Sequence, residues 1–218
     1  MSYRHDEPPR TRTRVLLISG WARTGKDTAA TILGRNAGYR RTAFADPLKR
    51  HVSSITGIPL SVFHSWRKDS PLPRFRNRSE YYPSARTPRD LLLLHARDAR
   101  EHDPDVYARE IAEEIRGNPG IHYWTISDWR YQQEFAFLRE ALPTRDGYDI
   151  IRVRVTRPDV TPSADPTEHD LEGETMDVLL DNAGTADDLA EIIREKVTSR
   201  YGSGPTGVST DKTQLNIE

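Results

Sequence analysis

The residues with the clearest chemical meaning lie between Gly20 and Lys26. They read G-W-A-R-T-G-K, which fits the spacing G-x-x-x-x-G-K. Gly20 and Gly25 allow backbone angles that other residues resist, so the amide groups of such a loop can converge on phosphate oxygens. A lysine at its end adds a point charge that reaches the β- and γ-phosphates of a nucleotide. The spacing predicts a phosphate-binding loop, and an ordinary strand-to-helix turn is the alternative.

Strand and helix patterns flank this loop. Four apolar residues, Val15 to Ile18, indicate a buried strand before it, and a helical pattern of apolar residues runs through Leu33 after it. Strand, glycine loop and helix are the context that a phosphate-binding loop requires, and the start of the helix favours negative charge. We therefore expect ATP to contact Gly20, Arg23, Thr24, Gly25, Lys26, Asp27 and Thr28.

One position departs from the common pattern. Ser or Thr usually follows the lysine, where its hydroxyl ligates magnesium, but here the residue is Asp27, and Thr28 comes next. Asp27 falls in the first helical turn, where negative charge is favourable, so a plain helix-start role is an equal alternative. Thr28 is the nearest hydroxyl, and we expect it to bind Mg²⁺.

Composition excludes several classes of protein. The chain has 218 residues, 35% of them hydrophobic, and contains no cysteine, which excludes a disulfide framework and thiol chemistry. Its formal net charge of -1 argues against strong nonspecific binding to nucleic acid. No long apolar run predicts a membrane span, and residues 1–14 do not resemble a signal peptide. We expect a soluble cytoplasmic protein with no membrane partner.

Apolar strand patterns alternate with helical patterns along the chain. The strands are expected near residues 15–18, 39–44, 121–127, 148–155 and 178–180. This alternation predicts an α/β protein with a parallel sheet of about five strands in a three-layer α/β/α fold. We expect a flexible tail at 1–13, one domain at 14–200 and a disordered tail at 201–218.

A second motif makes a family resemblance specific. Residues 44–50 read F-A-D-P-L-K-R, with Pro47 placed early in a helix that Asp46 caps. Together with G-K-D-T at residues 25–28, this run resembles the phage-type deoxynucleoside monophosphate kinases of the P-loop nucleotide kinase superfamily. The likeness covers roughly residues 15–200. It implies a P-loop kinase domain that uses ATP and Mg²⁺, with an acceptor-binding insertion at 59–100 and a lid at 156–175.

The resemblance also implies roles for residues that bind the acceptor and the metal. Lys49 matches the cation that grips the acceptor monophosphate, and Asp46 matches a carboxylate facing the water shell of the metal, although a capped surface helix is the alternative. The run I-S-D-W-R ends a predicted strand. There, Asp128 matches a second metal-shell carboxylate, and Arg130 matches a second grip on the acceptor phosphate. The alternative is that Asp128 ends the strand and only caps a helix.

Four further positions follow from the same likeness. Arg89 and Arg100 match the T-P-R helix beside the acceptor base, Arg157 matches the base of the lid, and Asn182 matches the loop that contacts the donor adenine. The family usually has Gln and Gly-Thr within the T-P-R helix. This chain has other residues there, including His95, so the preferred base stays open.

The expected reaction is in-line phosphoryl transfer from ATP to a nucleoside monophosphate, with Lys26, Asp46, Asp128 and Arg130 as catalytic residues. A kinase of a modified base in DNA stays open, because cations and aromatics alternate between Trp66 and Tyr82. A kinase of another small metabolite, such as a cofactor precursor, also stays open, as does a nucleotide-dependent switch protein. Ribose against deoxyribose is undecided, and so is a homodimer. An isolated His169 is a poor zinc site.

Overall fold

The centre of the molecule is a parallel sheet of five strands. The computed structural model describes residues 11–72, 82–161 and 169–205. The strands are β1 (Thr13–Ser19), β2 (Arg40–Thr42), β3 (Tyr123–Ile126), β4 (Tyr148–Thr156) and β5 (Val178–Asp181). Their order across the sheet is β2-β3-β1-β4-β5, and every pairing is parallel. Helices pack on both faces of this sheet, so the predicted three-layer α/β/α P-loop fold is confirmed.

Eight α-helices occur within the described ranges. They are α1 (Lys26–Ala37), α2 (Ala45–Thr56), α3 (Leu60–Phe63), α4 (Pro88–His102), α5 (Val106–Arg116), α6 (Gln132–Ala141), α7 (Ala186–Ile193) and α8 (Ser199–Tyr201). The sequence pattern predicts one helix from residue 186 to residue 200, and the helical residues run continuously from Ala186 to Tyr201. Within this stretch, a π-helical turn at Arg194–Thr198 joins α7 to α8.

Strand β1 lies in the middle of the sheet and is covered on both faces. Val15 and Leu17 pack into one apolar cluster, and Leu16 and Ile18 pack into the other. Successive side chains of a strand point to opposite faces, and a strand buried on both faces reads as a continuous apolar run. This explains the pattern that precedes the glycine loop.

The carboxyl ends of parallel strands meet at one edge of the sheet, which is where ligands bind in such folds. The glycine loop follows β1 at this edge, and Asp128 follows β3 by two residues. Arg157 follows β4 directly, and Asn182 follows β5 directly. The topology therefore gathers most of the predicted site residues at one edge.

The start of α2 differs from the prediction. Asp46 lies inside the first turn of the helix, whose N-cap residue is Phe44, so the prediction that Asp46 caps α2 is wrong. The exposed amide groups at this end are bound instead by Asp128 from the neighbouring strand end, since its carboxylate accepts from the N–H groups of Phe44 and Ala45. A cap supplied from another element cannot be found from local spacing.

The start of α4 carries its own local cap. Thr87 caps α4 in a reciprocal arrangement with Asp90, and Pro88 occupies the first turn. Parts of the predicted insertion and lid lie outside the described residues, namely 73–81 (with Arg74, Arg76, Arg78 and Tyr81) and 162–168, and so do 1–10 and 206–218. Over the ranges that the structure does cover, we find no helix long and apolar enough to cross a bilayer.

The end of the described chain packs against the turn between α1 and β2. The amide of Gly204 donates to the carbonyl of Ala37 at 2.8 Å, and the Tyr39 hydroxyl donates to the carbonyl of Gly202 at 3.0 Å. On the opposite edge of the sheet, Lys196 Nζ donates to the carbonyl of Leu179 in β5 at 3.1 Å. The C-terminal part of the described chain therefore contacts β5 at one edge of the sheet. At the other edge it contacts the residues just before β2.

Two glycines test how much this packing contributes to stability. Gly38 and Gly57 end helices with φ of 64° and 68°. A Cβ on Gly38 would lie 2.6 Å from the carbonyl oxygen of Pro205, whereas one on Gly57 would meet nothing within 4 Å. We expect Gly57→Ala to lower the free energy of unfolding by about 1–2 kcal/mol through backbone strain alone, and Gly38→Ala to lower it further.

Urea unfolding of both variants measures this difference. Removing residues 202–218 should make the losses of unfolding free energy in Gly38→Ala and Gly57→Ala similar, because the clash of the new Cβ with Pro205 then disappears. Equal losses in the full-length chain would show that the terminal segment does not press on Gly38.

Candidate active site

The glycine loop between β1 and α1 is held in a conformation that needs its glycines. Gly20 has φ of 144° and Gly25 has φ of 100°. A Cβ on Gly20 would lie 2.4 Å from the carbonyl oxygen of Val155, and one on Gly25 would lie 2.4 Å from Asn182 Nδ2. Within the described ranges, Arg23 is the one non-glycine residue with positive φ, at 67°. The loop is therefore fitted tightly between the ends of β4 and β5.

One carbonyl group organises the inside of the loop. The Trp21 carbonyl accepts from Lys26 Nζ at 2.7 Å and from the Thr24 hydroxyl at 2.9 Å. The buried Thr24 hydroxyl is therefore turned inward, and the Thr24 amide donates to the same carbonyl at 3.3 Å. The predicted contact of Thr24 with ATP stays a prediction. The contact with the Trp21 carbonyl holds the Lys26 ammonium group against the loop, where its charge can act on a bound phosphate.

A cavity of about 400 Å³ opens on one side of the loop, a size typical of ligand sites. We call it the loop cavity. It is lined by Arg23, Gly25, Lys26, Asp27, Thr28, Arg157, Asn182, Gly184, Thr185 and Ala186. Seven of the nine residues predicted to bind ATP lie in this lining, and the other two are Gly20 and the buried Thr24. The sequence therefore identified most of the loop cavity before the fold was known.

Asn182 has a second role in this cavity. Its buried side chain donates through Nδ2 to the carbonyl of Thr24 at 2.8 Å, while its own amide donates to the carbonyl of Thr156. It therefore ties the end of β5 to the glycine loop as well as lining the cavity. Next to it, Thr185 caps α7 and presents the start of that helix to the cavity.

A second, smaller pocket of about 120 Å³ borders the loop at Gly20 and Trp21. We call it the arginine pocket. It is lined by Gly20, Trp21, Trp129, Arg130, Arg154, Val155, Thr156 and Leu171. Arg130 was predicted as an acceptor grip, but Arg154 was missed. Arg154 alternates with the buried Val153 and Val155 on a strand that ends at the functional edge, but Arg152 on the same strand shows the same alternation, so this pattern alone does not identify Arg154.

Asp128 links two elements of the site. Its Oδ1 accepts from the amide of Phe44 at 2.7 Å, and its Oδ2 accepts from the amide of Ala45 at 2.9 Å. Burial raises the pKa of the Asp128 carboxyl, and the two amide hydrogen bonds oppose that shift. The helix-capping alternative thus describes an observed contact of Asp128, while its metal-shell role stays a prediction.

Lys49 lies about one helical turn beyond Phe44 and Ala45, whose amides Asp128 binds. It lines neither the loop cavity nor the arginine pocket. Its Nζ lies 3.1 Å from Asp46 Oδ1 and 3.4 Å from His64 Nδ1. Burial, with the nearby Lys49 charge second, lowers the pKa of His64, so His64 favours the neutral form that can accept from the lysine. The structure therefore does not bring Lys49 and Arg130 into one pocket.

The two arginines of the T-P-R helix have different surroundings. Arg89 is exposed and pairs with Asp69, with Nη2 3.2 Å from Oδ2. The Arg100 guanidinium lies between the rings of Tyr107 and Tyr131, at 5.1 and 4.8 Å from their centroids. Arg100 therefore reaches the residue next to Arg130, whereas Arg89 ties α4 to the turn at Trp66–Asp69. Their predicted contacts with an acceptor stay predictions.

Glu134 is a site residue that the sequence analysis missed. Its buried Oε2 accepts from the amides of Arg130 and Tyr131, at 3.1 and 3.2 Å. Burial raises the pKa of Glu134 to about 8, and the charge of Asp128 adds to the shift. Glu134 therefore fixes the backbone that carries Arg130 into the arginine pocket.

The oxygen donors in the loop cavity fit Mg²⁺. This ion keeps several waters and takes only one or two protein oxygens beside substrate phosphates, and the Thr28 hydroxyl and the Asp27 carboxylate line the cavity next to Lys26. Asp27 also pairs with Arg41, whose Nη2 lies 2.5 Å from Oδ1. Among the described residues, no group of three or more His, Asp or Glu side chains could hold a metal by itself.

Comparisons with known proteins gave matches among solved structures. No family model matches the chain, and no curated protein matches it. A sugar kinase from Janibacter shares 14% identity at a TM-score of 0.44, covering 85% of this chain and 94% of that one. An APS kinase from Mycobacterium tuberculosis, in complex with AMPPNP and APS, shares 10% identity at 0.44, covering 85% and 97%.

A shikimate kinase from Aquifex aeolicus shares 12% identity at a TM-score of 0.42, covering 88% of this chain and 100% of that one. Identities and TM-scores this low carry no argument about what this chain acts on. The assignment of a function therefore depends on the loop, its two cavities and the residues around them.

Glu134 gives the site a testable dependence on pH. Its pKa of about 8 in the folded chain exceeds its ordinary value of 4.5, so the folded state favours the protonated form. This contribution to stability is complete below about pH 4.5 and is lost as the pH rises through 8. Between those limits we expect the free energy of unfolding to fall by on the order of 1 kcal/mol per pH unit.

Other carboxylates also change stability with pH, so the measurement is a difference. Urea unfolding of the wild-type chain and of Glu134→Gln from pH 5 to 9 should diverge by that slope. Glu140→Gln, an exposed change on the same helix, should leave the wild-type slope intact. Parallel pH curves for Glu134→Gln and the wild type would contradict the prediction.

Proposed function

We propose that this chain is an ATP-dependent kinase of nucleoside monophosphates, the deoxy form being the expected acceptor. The observation that supports it best is that one phosphate loop borders two cavities. Gly25 and Lys26 face the loop cavity, and Gly20 and Trp21 face the arginine pocket. A phosphoryl transfer needs a donor and an acceptor on either side of the transferred group, whereas a nucleotide switch needs only one site.

The donor is assigned to the loop cavity. The amides of the glycine loop and the start of α1 favour phosphate, and Lys26 neutralises charge that develops on the transferred group. The ends of β4 and β5 supply Arg157 and Asn182 to the lining of the same cavity, and we expect the adenosine part of ATP beside them. Magnesium, held through Thr28, would add charge neutralisation on the phosphates.

The acceptor is assigned to the arginine pocket and the surface beside it. An oxygen of the acceptor phosphate attacks the γ-phosphorus, the bond to the ADP oxygen breaks, and the products are ADP and a nucleoside diphosphate. The acceptor phosphate is already ionised, so no dedicated base is needed, and catalysis comes mostly from positioning. The choice of a nucleoside monophosphate rests on the sequence resemblance rather than on the pocket itself.

One observation favours a second candidate, a kinase of a modified base in DNA. Trp66 is 75% exposed, and the Arg67 guanidinium lies 6.0 Å from the centroid of its ring. Exposed aromatic rings next to arginine can stack on bases of single-stranded nucleic acid. A panel of canonical and modified deoxynucleoside monophosphates, free and within oligonucleotides, separates the two candidates. Phosphorylation of the oligonucleotides alone would favour the second.

Lys26→Ala tests the donor site. Because Lys26 acts on the transferred phosphoryl group, we expect phosphoryl transfer to fall by at least a hundredfold, the loss of about 3 kcal/mol of transition-state stabilisation. Coupled ADP release in the presence of the acceptor measures this. Arg35→Ala removes a cation from the end of the same helix and should retain activity. A folded Lys26→Ala chain with wild-type turnover would overturn the kinase proposal.

Arg130→Ala tests the acceptor side. A hydrogen bond from a charged group to the acceptor phosphate is worth about 1.5–3 kcal/mol, so its loss should raise the KM for the monophosphate roughly ten- to a hundredfold. ATP affinity should change little, because Arg130 lies outside the loop cavity. Steady-state kinetics with each substrate varied in turn, with the exposed Arg139→Ala as control, measures both. An equal loss of ATP affinity would place Arg130 on the donor side.

A further inference from the structure

Arg154 lies beside the base of the phosphate loop. The register of the sheet pairs it with Ser19, the residue before Gly20. Its side chain lines the arginine pocket together with Arg130, and the other lining residues carry no charge. Two guanidinium groups therefore border a pocket that directly adjoins the loop, without a carboxylate in its lining.

The hydrogen bonds of Arg154 are incomplete. Its Nη2 donates to the carbonyl of Leu171 at 2.8 Å. Its Nε is buried and has no hydrogen-bond partner among the described residues. A buried donor left without a partner costs free energy that a suitable acceptor would recover, and a guanidinium offers a fork that matches the oxygens of a phosphate.

Arg152, two residues earlier on the same face of β4, differs from Arg154 in its ion pairs. Its guanidinium contacts Asp177, with Nε 3.1 Å from Oδ2, and Glu174, at 3.8 Å. Arg154 makes no such ion pair within the described ranges, and burial lowers its pKa while the more distant charges of Glu172 and Glu174 raise it. One arginine is therefore neutralised by the fold, and the next is left with charge to offer a ligand.

We propose that Arg154 and Arg130 bind the phosphate group of the acceptor in the arginine pocket, with Arg154 selecting a phosphorylated acceptor over a neutral one. The identity of the anion rests on the proposed kinase function, but the presence of an anion site rests on the pocket. The phosphate oxygens take up the buried Nε–H of Arg154. Trp21 and Trp129 also line this pocket, so an apolar or ring-bearing part of the acceptor can lie beside them.

Binding of inorganic phosphate tests the anion site without turnover. Titration calorimetry is done with the loop cavity saturated by AMPPNP and Mg²⁺, so that phosphate is left with the second site. The wild-type chain should bind one phosphate, and Arg154→Met should bind it roughly ten- to a hundredfold more weakly. Arg154→Lys keeps the charge but loses the fork, so it should fall between the two.

Arg152→Met is the matched control, because it removes an arginine from the same strand face outside the pocket. Its phosphate affinity should stay within about twofold of the wild type even where its unfolding midpoint drops, since it loses ion pairs rather than a ligand contact. Unfolding curves of every variant identify those that are folded. Unchanged phosphate binding in Arg154→Met, or an equal loss in Arg152→Met, would overturn the proposal, as would a wild-type chain that binds no phosphate.

A kinetic measurement separates this inference from the proposed function. The KM for the monophosphate should rise in Arg154→Met by the same factor as the phosphate dissociation constant, while AMPPNP affinity stays unchanged. Phosphate binding that depends on Arg154 in a chain that phosphorylates no monophosphate would refute the proposed function and leave the anion site standing. Turnover of a monophosphate with a KM that Arg154→Met leaves unchanged would support the proposed function and refute the role of Arg154 in the anion site.

Discussion

The glycine loop has no spare room on either side, and the rest of the site depends on that constraint. A single Cβ on Gly20 would press on the backbone of β4, and one on Gly25 would press on the side chain of Asn182. The loop therefore contributes to both cavities, with Gly25 lining the loop cavity and Gly20 lining the arginine pocket. Direct transfer would require the reacting atoms of two ligands to meet beside the loop, while each ligand keeps its own set of contacts.

Two carboxylates behind the site hold backbone rather than ligand. Asp128 accepts from two amides at the start of α2, and Glu134 accepts from two amides that include Arg130. Each costs desolvation energy, which is visible in its raised pKa. As a result, the start of the helix that carries Lys49 is bound to the end of β3, and the backbone of Arg130 is bound to the first turn of α6. The two are also close enough for the charge of one to raise the pKa of the other.

Sequence reasoning was reliable where the signal is local. The strand, glycine loop and helix around Lys26 follow from spacing, and most of the loop cavity came with them. It was weaker where partners come from distant segments. The cap of α2 comes from Asp128, 82 residues beyond the predicted Asp46. Arg154 reads as one more exposed strand residue until the register sets it beside Ser19. Only the folded chain distinguishes it from Arg152, which has the same local pattern.

The edges of the sheet bear on how the protein behaves at high concentration. An unpaired strand edge is a template on which another chain can add a strand. Here one edge strand, β2, has three residues, and the other, β5, has four. The Lys196 ammonium group donates a hydrogen bond to the carbonyl of Leu179 on β5. A foreign strand would have to displace this lysine before it could pair with that carbonyl. Short edge strands and a lysine at the edge both disfavour the addition of a foreign strand, and with it growth of the sheet into fibrils.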